Sequence, residues 1–181
     1  GLDVANASLY DGATAAAEAV LLAVRRSGRS RVLLAASLHP EYEAVIRTYV
    51  QNLPIELLTV AIDEKSGRVD DRDLRARLDD ATAAVVFQSP NFLGVVEDGR
   101  AIAAAAHERK AYAVQVVAEA MSLAYLTPPG ECGADIAAGE AQSFGLSLGF
   151  GGPYLGFMAA REEFLRQMPG RLVGQTVDLD G

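Results

Sequence analysis

The chain contains 181 residues, of which 50% are hydrophobic, and its formal net charge at pH 7 is −8. This length suffices for one well-buried domain of ordinary size and not for two. Acidic and basic residues are interspersed, so the chain offers no basic face for a nucleic acid backbone. A single cysteine and two histidines exclude an internal disulfide and a Cys/His zinc site, and we expect no bound metal.

The apolar segments are short. The run AAVVF at 83–87 is far shorter than a membrane span, and no positively charged stretch followed by an apolar one opens the sequence. We therefore expect a cytoplasmic protein that does not contact a membrane.

The first predicted helix begins within SLYDGATAAAEAV, residues 8–20. Its Asp-Gly turn, the hydroxyl of Thr14 and the spacing of Ala16, Val20 and Val24 predict a loop that leads into an amphipathic helix. Free N–H groups at such a helix start can bind an anion. An ordinary capped helix is the more frequent explanation of so short a signal, so this stretch alone leaves both interpretations open.

Strands and helices then alternate along the chain. Gly28 is a predicted C-cap of the first helix. The sequence predicts strands over 31–37, 55–62, 82–91 and 111–118, with helices within 39–53, 63–81 and 97–110 between them. Each strand is apolar on both faces. This arrangement predicts an α/β fold with a mostly parallel sheet covered by helices on both sides.

Sheets of this kind bind ligands beyond the carboxyl ends of their strands. The segments SLHPEY, QSPNFLG and AEAMSLA fall there, and they are richer in polar and turn residues than the strands before them. Gln88, Pro90 and Asn91 can line a crevice at this edge or simply shape the turn. We expect the functional site at the carboxyl edge.

The last third of the chain has a different character. It contains a predicted strand near 134–138, a glycine-rich loop, a second strand over 155–160 and a short helix stopped by Pro169 and Gly170. A long glycine-rich loop indicates close approach of the backbone to a ligand or a neighbouring chain. Phe157 is predicted to lie in the core, and Tyr154 is the better candidate for contact with another chain.

Several stretches together resemble one known family. They are GLDVANASLYDGATAAAEA, LHPEYEAVIRTY, QSPNFLGVVED and GADIAAGEAQSFGLSLGFGGPYLGFMA, followed by RQMPGRLVGQTVDLDG. They are similar to the N-terminal half, or subunit 1, of the P-protein of the glycine cleavage system. The resemblance implies the large domain of a fold-type I pyridoxal-phosphate-dependent transferase. It further implies that residues 1–181 form this single domain, without the family's N-terminal region and small C-terminal domain.

The resemblance also implies where a cofactor site would lie. Active members of this fold hold pyridoxal phosphate with a phosphate cradle, a ring-stacking side chain, a carboxylate at the pyridine nitrogen and a lysine. The resemblance assigns a vestigial phosphate-binding turn to four consecutive residues, Asp11, Gly12, Ala13 and Thr14.

Two further vestigial candidates follow predicted strands. His39 stands where active relatives place the ring-stacking side chain, although it is equally well explained as a helix-start residue before Pro40. Glu119 stands where active relatives carry an aspartate that pairs with the pyridine nitrogen. It is one methylene longer than that aspartate, and it is equally well explained as a solvated loop charge.

A Schiff-base lysine is missing from the expected loop. The segment GEAQSFGLSLGFGGP contains no primary amine, and the only lysines of the chain, Lys65 and Lys110, are predicted to be solvated. In the active half of the family a His-Lys pair stands near the position of Ala141, Gln142 and Ser143. The resemblance therefore implies no catalytic residue here, with pyridoxal phosphate held covalently by the other subunit or half.

The function implied is that of subunit 1 of a bacterial or archaeal glycine decarboxylase. With subunit 2, the complete enzyme would decarboxylate glycine and transfer the aminomethyl group to the lipoyl arm of H-protein. The alternatives are a self-sufficient pyridoxal phosphate enzyme that uses Lys65 or Lys110, and an α/β domain that binds a small ligand. A nucleotide-binding domain is disfavoured, because Gly-x-Gly-x-x-Gly and Gly-Lys-Ser/Thr signatures are absent.

Overall fold

The structure is a computed structural model that describes residues 1–174 and 177–178. Positions 175, 176 and 179–181 lie outside the described residues. The end of the RQMPGRLVGQTVDLDG stretch, and with it the end of the predicted 1–181 domain, therefore has no structural description.

A central sheet organises the described part of the chain. Its strands are β1 (Val4–Ala5), β2 (Arg31–Ala35), β3 (Glu56–Val60), β4 (Thr82–Gln88), β5 (Tyr112–Val117), β6 (Ile136–Glu140) and β7 (Gly156–Ala160). Their order in space is β1-β7-β6-β5-β4-β2-β3. Every pairing among β2 to β6 is parallel, whereas β7 pairs antiparallel with β6 and with β1. The predicted mostly parallel sheet is confirmed.

Helices cover both faces of this sheet. The α-helices are α1 (Gly12–Ser27), α2 (Pro40–Val50), α3 (Asp71–Arg77) and α4 (Gly99–Glu108), and short 3₁₀ helices span Ala120–Ala124, Gln142–Phe144 and Glu162–Gln167. Helices α1 and α2 pack on one face, and α3 and α4 pack on the other. Within residues 1–174 and 177–178, no helix combines the length and apolar character needed to cross a membrane.

Burial on both faces explains why the strands are continuously apolar. In β2, Val32 and Leu34 face α1 and α2, while Leu33 and Ala35 face α3 and α4, and all four side chains are buried. Successive strand residues point to opposite faces, so a strand with a helix layer on each side needs apolar residues at every position. Each fully buried Val or Leu contributes about 1.5–3 kcal/mol relative to an exposed one.

The structure differs from the sequence prediction in several places. The strand predicted over 82–91 ends at Gln88, and β2, β3 and β5 are each shorter than predicted by two or three residues. Strand β1 was not predicted, because two residues are too short for a periodic signal. Strand β6 begins at Ile136 rather than at Ala134. Just before it, Asp135 donates its N–H to the carbonyl of Ala113 on β5, and its side chain accepts the N–H of Ala113, both at 2.8 Å. The predicted last helix is a 3₁₀ helix.

The direction of α1 brings its first turn to the carboxyl edge of the sheet. The helix ends at the predicted C-cap Gly28, whose φ of 68° lies in the left-handed region, and β2 begins three residues later. Because β2 starts at the amino edge, the opposite end of α1 lies beside the strand ends that were expected to carry the site.

Candidate functional site

A cavity of about 440 Å³ opens at the carboxyl edge, beside the first turn of α1. This volume lies within the range of about 300–1,000 Å³ that is usual for ligand sites. Its walls come from α1, the start of α2 and the ends of β5 and β6. They include Asp11, Ala13, His39, Tyr42, Glu140 and Tyr154. Other hollows, about 200 Å³ at the start of α4 and about 540 Å³ beside the end of α1, contain none of the predicted site residues.

The first turn of α1 is closed by its own cap. Asp11 has an extended backbone, and its Oδ1 accepts the N–H of Thr14 at 2.7 Å. In return, the N–H of Asp11 donates to Oγ1 of Thr14 at 3.3 Å. This reciprocal pair is a capping box, in which one backbone donor of the helix start is already satisfied.

The carboxylate of Glu140, at the end of β6, accepts the next backbone N–H of the helix start. The N–H of Gly12 donates to Oε1 of Glu140 at 2.7 Å, and the hydroxyl of Tyr42 donates to the same oxygen at 3.2 Å. A Cβ on Gly12 would collide with the Tyr42 hydroxyl and lie 2.9 Å from Cγ of Glu140. Glycine is therefore required for this close approach.

The environment of Glu140 disfavours its charged form. Burial raises the pKa of this carboxyl, and the negative charge of Asp11 raises it further. Hydrogen bonds from Gly12 and Tyr42 oppose the rise. The pKa of the Tyr42 phenol is also raised, first by burial and then by the charge of Glu140. The cavity therefore contains two carboxyl groups and a phenol that stays protonated at neutral pH.

His39 lies at the cavity as predicted, and it also starts a helix. It is the N-cap of α2, and its Nδ1 accepts the N–H of Glu41 at 3.2 Å in the assigned ring orientation. The ring contacts Phe92 edge-on, with centroids 4.9 Å apart, and tilts against Tyr42 at 5.3 Å. The N–H of His39 donates to Oε1 of Gln88 at 2.9 Å. The helix-start explanation therefore describes His39, and its ring-stacking role stays a prediction.

Glu119 does not line the cavity. Its Oε1 accepts the N–H of Met121 at 2.9 Å and the hydroxyl of Ser143 at 2.6 Å. The Ser143 hydrogen bond, followed by that of Met121, lowers the pKa of Glu119. This carboxylate therefore caps the 3₁₀ helix Ala120–Ala124 and joins it to the 3₁₀ helix Gln142–Phe144.

No lysine lines the cavity. Lys65 lies in the exposed turn between β3 and α3, at the outermost parallel strand. Lys110 lies just before β5, at the amino edge. The chain that leaves β6 presents Ala141, Gln142 and Ser143 instead, and Gln142 lines the cavity.

The structure thus brings together Asp11, Ala13 and His39, and it leaves Glu119 outside the group. Gly12 is turned toward Glu140, and Thr14 is engaged with Asp11. Sequence analysis missed Glu140 and Tyr42. A signal for Glu140 was present, because it is the only charged residue of the otherwise small and apolar strand IAAGE and ends that strand at the carboxyl edge.

Comparisons with known proteins identify the family. The family model described as "Glycine cleavage system P-protein" matches residues 1–181. A probable glycine dehydrogenase (decarboxylating) subunit 1 from Koribacter versatilis is 51% identical over 181 residues, which are all of this chain and 40% of that relative. The chain thus spans well under half the length of this curated relative.

Solved structures agree with this match. A crystal structure of glycine decarboxylase (P-protein) of the glycine cleavage system, in inhibitor-bound form, superposes with a TM-score of 0.92 at 50% identity, over all of this chain and 40% of that one. A sphingosine-1-phosphate lyase from Burkholderia pseudomallei superposes with a TM-score of 0.67 at 19% identity, over 90% of this chain and 39% of that one, and shares the fold alone. With its fold-type I architecture and a family match along its whole length, the chain belongs to the glycine cleavage system P-protein family.

Proposed function

We propose that this chain is the large domain of subunit 1 of a glycine dehydrogenase (decarboxylating), and that it supports catalysis without carrying the cofactor. The single observation behind this role is the residue types in the segment that follows β6. At that position this chain, which is about 50% identical to subunit 1 proteins, presents Ala141, Gln142 and Ser143 and no primary amine. Covalent attachment of an aldehyde cofactor requires such an amine.

The cavity residues do not fit a pyridoxal phosphate held by this chain. The N–H groups of Gly12 and Thr14, which would receive a phosphate, are bound by the carboxylates of Glu140 and Asp11. Glu119, the candidate partner of the pyridine nitrogen, is engaged by Ser143 and Met121 away from the cavity. The site candidates Asp11, Gly12, Ala13, Thr14, His39 and Glu119 are therefore proposed as vestigial, and no reaction step is assigned to them.

In the complete enzyme, subunit 2 would bind pyridoxal phosphate covalently. The assembly would decarboxylate glycine and pass the aminomethyl group to the lipoyl arm of H-protein, in the cytoplasm of a bacterium or archaeon. The name "subunit 1" of the relatives supports a partner subunit. The exposed apolar side chains of the glycine-rich loop, Leu148 and Phe150, also support a partner, since such residues are usually covered in an assembly.

The decisive experiment locates the covalent cofactor. Full-length subunit 1 and subunit 2 are purified, mixed with pyridoxal phosphate, reduced with borohydride and analysed by peptide mass spectrometry. We expect one stoichiometric lysine adduct in subunit 2 and none at Lys65 or Lys110. In parallel, glycine decarboxylation should require both subunits.

Two results would contradict the proposal. A stoichiometric adduct on Lys65 or Lys110 that is lost on addition of glycine would indicate a self-sufficient enzyme. Full decarboxylation by subunit 2 alone would show that subunit 1 has no supporting role, and would favour a separate small-ligand function for the cavity.

A further inference from the structure

We propose that Glu140 is a built-in occupant of the anion position at the start of α1, and that its carboxylate keeps phosphate-bearing ligands out of the cavity. This goes beyond the proposed function, because binding of phosphate can be measured whether or not the subunit takes part in glycine decarboxylation. The chain would thus close its own vestigial site with a side chain, rather than leave it empty.

The position of the carboxylate is the first argument. Helix α1 has 16 residues, and the backbone N–H groups at such a helix start carry partial positive charge that favours an anion. Glu140, 128 residues away in the chain, places Oε1 2.7 Å from the N–H of Gly12. Asp11 satisfies the N–H of Thr14. Two carboxylates of the chain thus satisfy donors that a phosphate would need.

Glycines around Glu140 allow its carboxylate to reach the start of α1. A Cβ on Gly139 would collide with the carbonyl oxygen of Val117 on β5, and a Cβ on Gly12 would lie 2.9 Å from the carbonyl carbon of Gly139. On the other side, a Cβ on Gly156 would collide with the carbonyl oxygen of Asp11. Glycines on β6, α1 and β7 therefore permit the close approach that seats Glu140 against the helix.

The surroundings of the second oxygen of the Glu140 carboxylate also disfavour phosphate. Oε2 of Glu140 is buried, and among the described residues no hydrogen bond of ordinary geometry reaches it. Oε1 therefore fills the position at the Gly12 N–H that a phosphate oxygen would take, and in its ionised form the carboxylate also places negative charge beside the cavity. Since like charges a few Å apart repel strongly at the effective dielectric of a protein surface, a phosphate dianion is disfavoured there.

The test measures binding of inorganic phosphate to the full-length protein. Glu140→Gln removes the charge and retains an oxygen that can accept from Gly12, and Glu140→Ala empties the position. Glu64→Gln, in the exposed turn between β3 and α3, is the control with the same change of charge. By isothermal calorimetry at constant ionic strength, we expect phosphate to bind Glu140→Gln at least about tenfold more tightly than wild type or Glu64→Gln. Glu140→Ala should bind at least as tightly as Glu140→Gln.

Unchanged phosphate affinity in folded Glu140→Gln and Glu140→Ala proteins would overturn the proposal. If neither variant folds, crystals of the wild-type protein soaked in phosphate decide. Glu140 remaining on the N–H of Gly12 without phosphate beside it supports the proposal, and phosphate bound to that N–H refutes it. The borohydride experiment detects a lysine adduct and does not depend on phosphate binding. A failure of the proposed function can therefore be told apart from a failure of this proposal.

Discussion

At the scale of single residues, Glu140 determines the character of the cavity. Two opposing effects act on its carboxyl group. Partial burial beside Asp11 favours the neutral form, and the hydrogen bonds from Gly12 and Tyr42 favour the charged form. Burial has the largest effect, so its pKa rises above the ordinary value of 4.5.

This direction predicts how stability depends on pH. A folded-state pKa above the unfolded value means that the Glu140 contribution is fully present below the unfolded pKa, and is lost as pH rises through the folded pKa. Glutamine has no proton to lose. The thermal midpoint of Glu140→Gln, relative to wild type, should therefore increase as the pH rises from about 4.5 toward 7.

The measurement is thermal unfolding of the full-length protein in steps of pH, with Glu64→Gln as the control. Asp11 and Tyr42 face Glu140, with Tyr154 across the cavity, and all three are unchanged in the variant. Parallel midpoint profiles for Glu140→Gln and wild type would show that Glu140 has no raised pKa.

At the scale of elements, Asp135 lies directly before β6 and contacts β5, α4 and the residue that follows β7. Its carboxylate is buried, accepts the N–H of Ala113 on β5 and lies 2.8 Å from Nε2 of His107 on α4. Its other oxygen lies 3.4 Å from Nε of Arg161, directly after β7. Asp135 therefore links the start of β6 to β5, to α4 and to the segment after β7.

Replacement of Asp135 should therefore destabilise the fold. Asp135→Ala leaves the N–H of Ala113 and Nε2 of His107 without their partner and removes the ion pair with Arg161, and we expect a loss of about 3 kcal/mol in the free energy of unfolding. Asp135→Asn retains an acceptor for Ala113 and should cost less. Asp71→Ala is the control, because it breaks only an exposed pair with Arg75 and should change stability by about 0.5 kcal/mol or less.

Urea unfolding of the full-length protein measures these differences. A cost for Asp135→Ala no larger than that of Asp71→Ala would mean that the cluster does not hold the elements together.

At the scale of the whole molecule, exposed apolar side chains gather at the end of the sheet that carries the cavity. They belong to the segments that follow β5 and β6 and to the loop before α1, and they are Tyr10, Met121, Tyr125, Phe144, Leu146, Leu148, Phe150 and Tyr154. Leu148 and Phe150 are fully exposed, whereas Tyr154 is 55% exposed and also lines the cavity. Leu148 and Phe150 are therefore sharper probes of an interface than the Tyr154 suggested by the sequence.

The double variant Leu148→Ser, Phe150→Ser should weaken association of the full-length subunits at least about tenfold, which corresponds to about 1.4 kcal/mol. Its thermal midpoint should stay within about 2 °C of wild type, because neither side chain is packed in the described structure. Tyr49→Ser, on α2 and 40% exposed, is the control and should leave association unchanged. Equal dissociation constants for the double variant and wild type would remove this loop from the interface.

The sequence by itself determined the parallel sheet and its helices, because burial on both faces forces continuous apolar strands of characteristic length. It also determined that the loop after β6 carries no amine, since that depends on composition alone. The resemblance placed Asp11 and His39, which the fold brings to one cavity. Only the tertiary structure decided that Glu140 and Tyr42 fill the start of α1, and that Glu119 lies outside. The reason is physical: these contacts join residues up to 128 positions apart, and close packing at Gly12, Gly139 and Gly156 creates them.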